Sequence, residues 1–410
     1  MITIDQARLS RELDELADFT DAPPPAVTRV VFTETDRRGR EYVKGLCHQA
    51  GLQIREDAVG NTFARWPGSA PGLPAVGTGS HIDAIPNAGR YDGTVGVLGG
   101  LEAIRALQRS GSKTTRSLEL LLFTSEEPTR FGIGCLGSRL LSGLLDPAAG
   151  QSLRDREGLT LNQARVAFPG DLASVRLPSG YYHAFVELHI EQGPLLEQSG
   201  MGLGVVTAIA APASLRVIID GEGGHAVAVL MPQRRDAFLA GAELALAVEA
   251  AARGTGSIDT VGTTGLCQVF PGAVNSVPSR CYLELDVRDI DEARRDGVLS
   301  EIAAATEEIG RRRQVTIRTE VINADPPATC APMVVEALAQ SCEALGRPYQ
   351  RMISRAYHDS LFMAQLCPTT MIFIPCRGGV SHRPDEYSSP GQIRDGVRVL
   401  AGTLLRLASG

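Results

Sequence analysis

Apolar residues recur at helical spacing from Arg8 to Phe19, and Asp21–Pro25 ends that run with three prolines. The pattern predicts a second helix over Thr35–Ala50, then short strands around Leu52–Glu56 and Asn61–Trp66. Two apolar runs follow, Pro74–Gly79 and Leu118–Phe123, with a helix over Gly93–Arg109 between them, and Ala184–His189 forms a further short strand. Strands alternating with helices of this length predict an α/β domain around a mostly parallel sheet. In such a sheet, functional groups gather just past the carboxyl ends of the strands.

The pattern changes after Val206. Ser214–Asp220 is rich in β-branched residues, Arg235–Ala252 reads as helix, and Ser279–Arg288 alternates apolar with polar like a half-exposed strand. A helix near Ile290–Arg311 and a strand over Gln314–Val321 complete a small α+β set, and Asn323–Pro327 reads as a linker. The expected organisation is a domain made of residues 1–210 and 328–410, with an insertion over 211–327. No internal repeat or low-complexity tract is visible.

Composition narrows the class. A chain of 410 residues exceeds one comfortable hydrophobic core, and 43% hydrophobic with 21% charged residues is an ordinary globular balance. A net charge of −7 with no basic stripe argues against a nucleic-acid partner. No run of about 18 apolar residues is present, so a membrane span is not expected. The charged amino-terminal segment is unlike a signal peptide. Eight scattered cysteines, with no Cys-x-x-Cys pair, suit free thiols in a reducing compartment, and a cytoplasmic location is the expectation.

Chemistry concentrates after the apolar runs. His81 and Asp83 lie two apart at a strand end, where a carboxylate beside an imidazole can hold the tautomer that binds metal. Asp92, in a glycine-flanked turn opening a helix, can offer two oxygens to two ions, or serve only as a helix cap. Glu126 and Glu127 follow a buried strand, where adjacent acids are costly unless cations neutralise them. One can ligate while the other takes a proton from water. His189 and Gln192 leave a third strand and His382 follows a fourth. Singly, each histidine reads more readily as structural. Together His81, Asp92, Glu127, His189 and His382 make a ligand set for two divalent ions, with Asp92 shared. His48 and His183 read as structural. His358 is either part of a helix cap or a substrate contact.

Gly79–Pro86, Asp92-Gly93, Glu126-Glu127, His189–Gly193 and Ser381-His382 resemble motifs of the dinuclear metallopeptidase-like amidohydrolases. That group includes N-carbamoyl-L-amino acid, allantoate and ureidoglycolate amidohydrolases. Finer segments are most similar to the ureidoglycolate branch: Thr124–Gly132, Val229–Pro232, Ser354–Ala364 and Ile372–Cys376. The likeness covers nearly the whole chain. It implies a catalytic domain with helices on both faces of its sheet and an inserted domain that acts as lid and homodimer contact.

The resemblance also implies roles. One ion falls to His81, Asp92 and His189, the other to Asp92, Glu127 and His382; Glu126 is the base and His225 steadies the developing oxyanion. The metal is manganese, with zinc the alternative, and the substrate is a small ureido acid. Rival readings are a metallo-dipeptidase or aminopeptidase, and a silent binding protein. Arg288 is either a clamp for the substrate carboxylate or a surface pair with Asp286 or Asp289. Asn275 is a substrate contact or a turn residue, and Gln192 a ureido contact or a turn cap. The resemblance implies that His225 and Asn275 reach the neighbouring subunit's site. One departure stands out: Val227 replaces the glycine usual after His-Ala, adding bulk and restricting the backbone to negative φ. A narrower pocket or a changed substrate is the consequence expected.

Overall fold

The computed structural model describes residues 2–410. The chain divides into two compact units, one of Met1–Thr207, Cys330–Ser354 and His358–Gly410, the other of Ala208–Thr329 and Arg355–Tyr357.

The first unit is organised by a large mixed sheet. Its four central strands run in the order Thr369–Ile374, Tyr182–Ile190, Ala75–Ser80, Leu118–Leu122, and every adjacent pair among them is parallel. Continuous burial explains this centre: all five residues of Leu118–Leu122 and all six of Thr369–Ile374 are buried, as strands covered on both faces require. Leu188 meets Gly99 of the Thr94–Arg109 helix and Gly396 of the Pro390–Ser409 helix. Glu187, next along the strand and facing the other way, accepts from Ser360 of the Asp359–Met363 helix. Helices therefore cover both faces.

The flanks of the sheet are antiparallel. Thr62–Trp66 and Gln53–Glu56 extend it beyond Leu118–Leu122, and Leu203–Ile209 extends it beyond Thr369–Ile374. A short connection returns Gln53–Glu56 directly to Thr62–Trp66, and a hairpin can only be antiparallel. Because the four central strands are parallel, their carboxyl ends share one edge of the sheet. That edge carries the chemistry.

The second unit has a four-stranded antiparallel sheet in the order Val261–Phe270, Arg280–Asp289, Ala211–Asp220, Thr316–Ala324. Cys281, Leu283, Leu285 and Val287 alternate inward and pack with Leu244 and Val248 of the Ala237–Gly254 helix and Val298 and Ile302 of the Glu292–Arg313 helix. The strand expected over Gln314–Val321 runs to Ala324, so the segment read as a linker begins inside the sheet. Val261–Phe270 was not anticipated as a strand; Gly262 and Gly265 interrupt its alternation, and its register shifts between Thr264 and Leu266.

Among the described residues, no helix is long and apolar enough to cross a membrane. All eight cysteines are unpaired thiols.

Candidate metal centre

Each central strand delivers one or two polar side chains to the shared edge. His81 follows Ala75–Ser80, Glu126 and Glu127 follow Leu118–Leu122, His189 sits one residue before the end of Tyr182–Ile190, and His382 lies in the loop after Thr369–Ile374. Asp92 enters from the turn that starts the Thr94–Arg109 helix. The expected donors fall into two groups, His81–Asp92–His189 and Asp92–Glu127–His382, and within each group the ligating atoms lie within 4.8 Å of one another.

The tautomers are set by backbone carbonyls. His81 Nδ1 lies 2.9 Å from the Asp83 carbonyl oxygen, and His189 Nδ1 lies 2.9 Å from that of Ile190. A carbonyl only accepts, so Nδ1 carries the hydrogen in both rings and Nε2 presents its lone pair. Both Nε2 atoms face Asp92 Oδ1, at 3.6 Å from His81 and 3.1 Å from His189. The other oxygen, Oδ2, lies 3.2 Å from His382 Nε2, which is also 3.2 Å from Glu127 Oε1. One carboxylate thus turns each oxygen to a different donor group.

Lone pairs aimed at carboxylate oxygens need a proton or a cation between them, and the local electrostatics express this. Burial disfavours charge on His81, but Glu126, Asp92 and Asp83 together hold its pKa well above the ordinary imidazole value. Hydrogen bonds to Asp92 and Glu127 raise His382 to about 11. Burial opposes ionisation of Asp92, yet the three histidines hold its carboxyl well below the usual range. Fixed imidazole tautomers and converging carboxylates are the donors that divalent transition metals take, so the residues fit a pair of such ions.

Asp83 acts differently from expectation. Its carbonyl, rather than its carboxylate, makes the close contact to His81; Oδ1 is 3.7 Å from that ring. The carboxylate instead accepts the backbone N–H groups of Glu126 at 3.3 Å and Glu127 at 3.0 Å, fixing both acids. Glu126 stays outside both donor groups, with Oε2 3.7 Å from His81 Nε2 and Oε1 3.5 Å from the Cys135 thiol. Burial first, then Glu127 and Asp359, push its pKa well above the usual carboxylate range despite His81.

Backbone strain marks the same region. Ser125, Cys135, Gln192 and His382 have φ of 57°, 54°, 57° and 58° without being glycine. At Gly93, φ is 65°, and a Cβ would come 2.5 Å from His81 Nε2, so only glycine lets the turn approach the ring.

The remaining expected residues are distributed as follows. Gln192 donates to Asp92 Oδ2 at 2.7 Å, while its own Oε1 is buried without a hydrogen-bond partner. His358 occupies the N-cap position of the Asp359–Met363 helix, but its side chain makes no capping bond. Its ring lies 4.4 Å from the His189 ring, centroid to centroid, and is 2% exposed. His358 thus holds the cap position through its backbone alone, and its ring packs against that of His189. His225, Asn275 and Arg288 belong to the second unit. There Arg288 pairs with Asp286 at 2.8 Å, the surface partner considered from sequence, and lies over the Tyr357 ring. His225 Nδ1 accepts from Val227 N at 3.2 Å, leaving Nε2–H as its donor, and Ala226 N donates to the Asn275 carbonyl. Val227 is absent from the positive-φ residues and is 83% exposed, so valine fits this turn without backbone strain.

Sequence reasoning missed Glu187, Ser360, Ser381 and Glu386. Glu187 accepts from Ser80 at 2.7 Å and Ser360 at 2.6 Å beneath the site, and Ser381 Oγ lies 2.8 Å from Asp92 Oδ2. Ser360 and Ser381 lie inside the motifs that carry the resemblance, and Glu187 lies inside the Ala184–His189 strand, where an acid within a buried apolar run was a usable signal.

The sequence profile of Peptidase family M20/M25/M40 matches residues 77–406, most of the chain and all five donors. The chain belongs to this family. The family is metal-dependent. Within it, ureidoglycolate hydrolase of Arabidopsis thaliana is 54% identical over 416 residues, covering 99% of this chain and 87% of that protein. A crystal structure of AtUAH in complex with glyoxylate has a TM-score of 0.91 at 53% identity, covering 99% of this chain and 98% of that one. A second AtUAH structure, in complex with (S)-hydroxyglycine, matches equally well at 0.91 and 53%. The motif resemblance to carbamoyl and ureido amidohydrolases falls within this same family.

Proposed function

We propose that the protein is a dinuclear metal-dependent amidohydrolase that cleaves the terminal ureido C–N bond of (S)-ureidoglycolate. One water is consumed; ammonia and carbon dioxide leave, and the resulting hydroxyglycine breaks down to glyoxylate and a second ammonia. The observation that carries this reading is the 53% identity and 0.91 TM-score to structures holding glyoxylate and (S)-hydroxyglycine, the end product and intermediate of that route.

In this proposal His81, Asp92 and His189 hold one ion and Asp92, Glu127 and His382 the other, manganese being the metal and zinc the alternative. When bound, such ions supply the charge that polarises a ureido carbonyl and makes water more acidic. Glu126, free of both donor groups, takes the proton from water at its carboxylate and returns it to the departing nitrogen. Asp83 holds Glu126 in place through its backbone N–H. The unpartnered Gln192 Oε1 accepts from the ureido N–H. His225, with Nε2–H left free to donate, steadies the developing oxyanion. Arg288 exchanges Asp286 for the substrate carboxylate, and Asn275 donates to substrate. The second unit serves as lid and homodimer contact, and the unpaired thiols suit a cytoplasmic setting.

The test is ammonia release from ureidoglycolate, allantoate and N-carbamoyl amino acids after reconstitution with Mn²⁺ and then Zn²⁺, alongside dipeptide cleavage. Fastest turnover of (S)-ureidoglycolate is expected. Preference for another ureido acid moves the substrate assignment, and dipeptide cleavage without ammonia release overturns the chemistry.

A further inference from the structure

Glu386 belongs to neither donor group and is not the base, yet it is 4% exposed and sits where two distant segments of the site meet. Its Oε1 accepts from Tyr91 N at 2.7 Å and Asp92 N at 3.1 Å. Consecutive backbone amides converging on one anion form a nest, which fixes the peptide segment as firmly as it fixes the anion. Its other oxygen lies 2.9 Å from Ser381 Oγ, the hydroxyl that also reaches Asp92 Oδ2 at 2.8 Å. Gly89 leaves room for this arrangement, since a Cβ there would come 2.4 Å from the Glu386 side chain. The Tyr91 and Tyr387 rings close the contact edge to face, 6.1 Å apart at 87°.

No Lys, Arg or His pairs with Glu386 among the described residues, and an acid buried without a cation is costly. The cost is offset by the two amides of the Asp92 turn and by the Ser381 hydroxyl of the His382 loop, whose one proton is shared between Glu386 and Asp92. One carboxylate therefore latches the segment supplying Asp92 to the segment supplying His382.

The geometry points to Glu386 as the positioning residue that sets the spacing between Asp92 and His382, and so completes the Asp92–Glu127–His382 donor group. This rests on the dinuclear reading above. The His81–Asp92–His189 group depends on the latch less, because the Asp83 and Ile190 carbonyls fix both of its imidazoles through Nδ1. Losing a residue that orients a ligand lowers metal affinity about 10–100-fold.

The experiment measures Mn²⁺ binding to metal-free full-length protein by equilibrium dialysis, with electron paramagnetic resonance on the loaded samples. Wild type, Glu386→Ala, Glu386→Gln and Gly89→Ala are compared. Wild type is expected to hold two ions with the signal of a coupled pair. Glu386→Ala loses affinity for one ion about 10–100-fold, and an isolated-ion signal replaces the coupled one. Glu386→Gln keeps an acceptor for the two amides and a group for Ser381, and restores most of the loss. Gly89→Ala displaces the intact carboxylate and reproduces the defect, which keeps the test decisive if Glu386→Ala does not fold. A Glu386→Ala protein that binds both ions at wild-type affinity overturns the role of Glu386 alone, as does Glu386→Gln failing as badly as Glu386→Ala. A wild type that binds fewer than two ions overturns the dinuclear reading itself.

Discussion

Gly93→Ala isolates the closest approach in the site. The residue has φ 65° and ψ −45°, a region that side-chain-bearing residues enter only at a cost of about 1–3 kcal/mol. Its added Cβ would lie 2.5 Å from His81 Nε2 and 2.6 Å from two ring carbons, where ordinary contact needs roughly 3.5 Å. The ring must therefore yield by about 1 Å, yet it is 1% exposed and tied to the Asp83 carbonyl at 2.9 Å. Misorienting a metal ligand costs about 10–100-fold in metal affinity. We expect the melting temperature of the metal-free protein to fall by on the order of 5 °C. Affinity for the ion assigned to His81 should fall about 10–100-fold. Differential scanning calorimetry and Mn²⁺ dialysis read the two effects. A Gly93→Ala protein with wild-type melting and two ions bound at wild-type affinity would refute the packing argument.

Glu126→Ala should keep both ions, because the residue is outside both donor groups, while ammonia release falls at least about 100-fold; loss of metal in that variant contradicts its role as base. Arg288→Ala should raise KM about tenfold with kcat little changed, the signature of a lost binding contact, whereas an unchanged KM leaves Arg288 as the partner of Asp286 alone. Hydrogen bonds from Arg313 and Arg312 hold the Glu243 carboxyl at about 2, below its unfolded value near ~4.3. Its contribution is present above the unfolded value and lost as pH falls from about 4.5 toward 2. Denaturant melts of Glu243→Gln should show a shallower acid slope than wild type, and identical slopes would remove this pair from the account.

The parallel centre was legible because it is written in short, continuous apolar runs separated by a long helix. What sequence hid was hidden by geometry. Val261–Phe270 carries two glycines and a register shift, so no alternation announces it. The site splits along the same line. His81, Asp92, Glu127, His189 and His382 follow recognisable runs, and the fold brings them within reach of one another. Glu386 gives no such signal: its partners are backbone amides some 290 positions away, and nothing in residue type marks an acceptor for a peptide N–H. Asp83 shows the limit of spacing arguments. Two positions from His81, it touches that ring chiefly through its carbonyl and spends its carboxylate on the Glu126 and Glu127 amides.

The most direct measurement is an anomalous difference map at the manganese absorption edge from crystals grown with Mn²⁺. The account predicts two peaks, one among the donor atoms of His81, Asp92 and His189 and one among those of Asp92, Glu127 and His382, with Glu126 bound to neither. A single peak, or density ligated by Glu126 in place of Glu127, would contradict it.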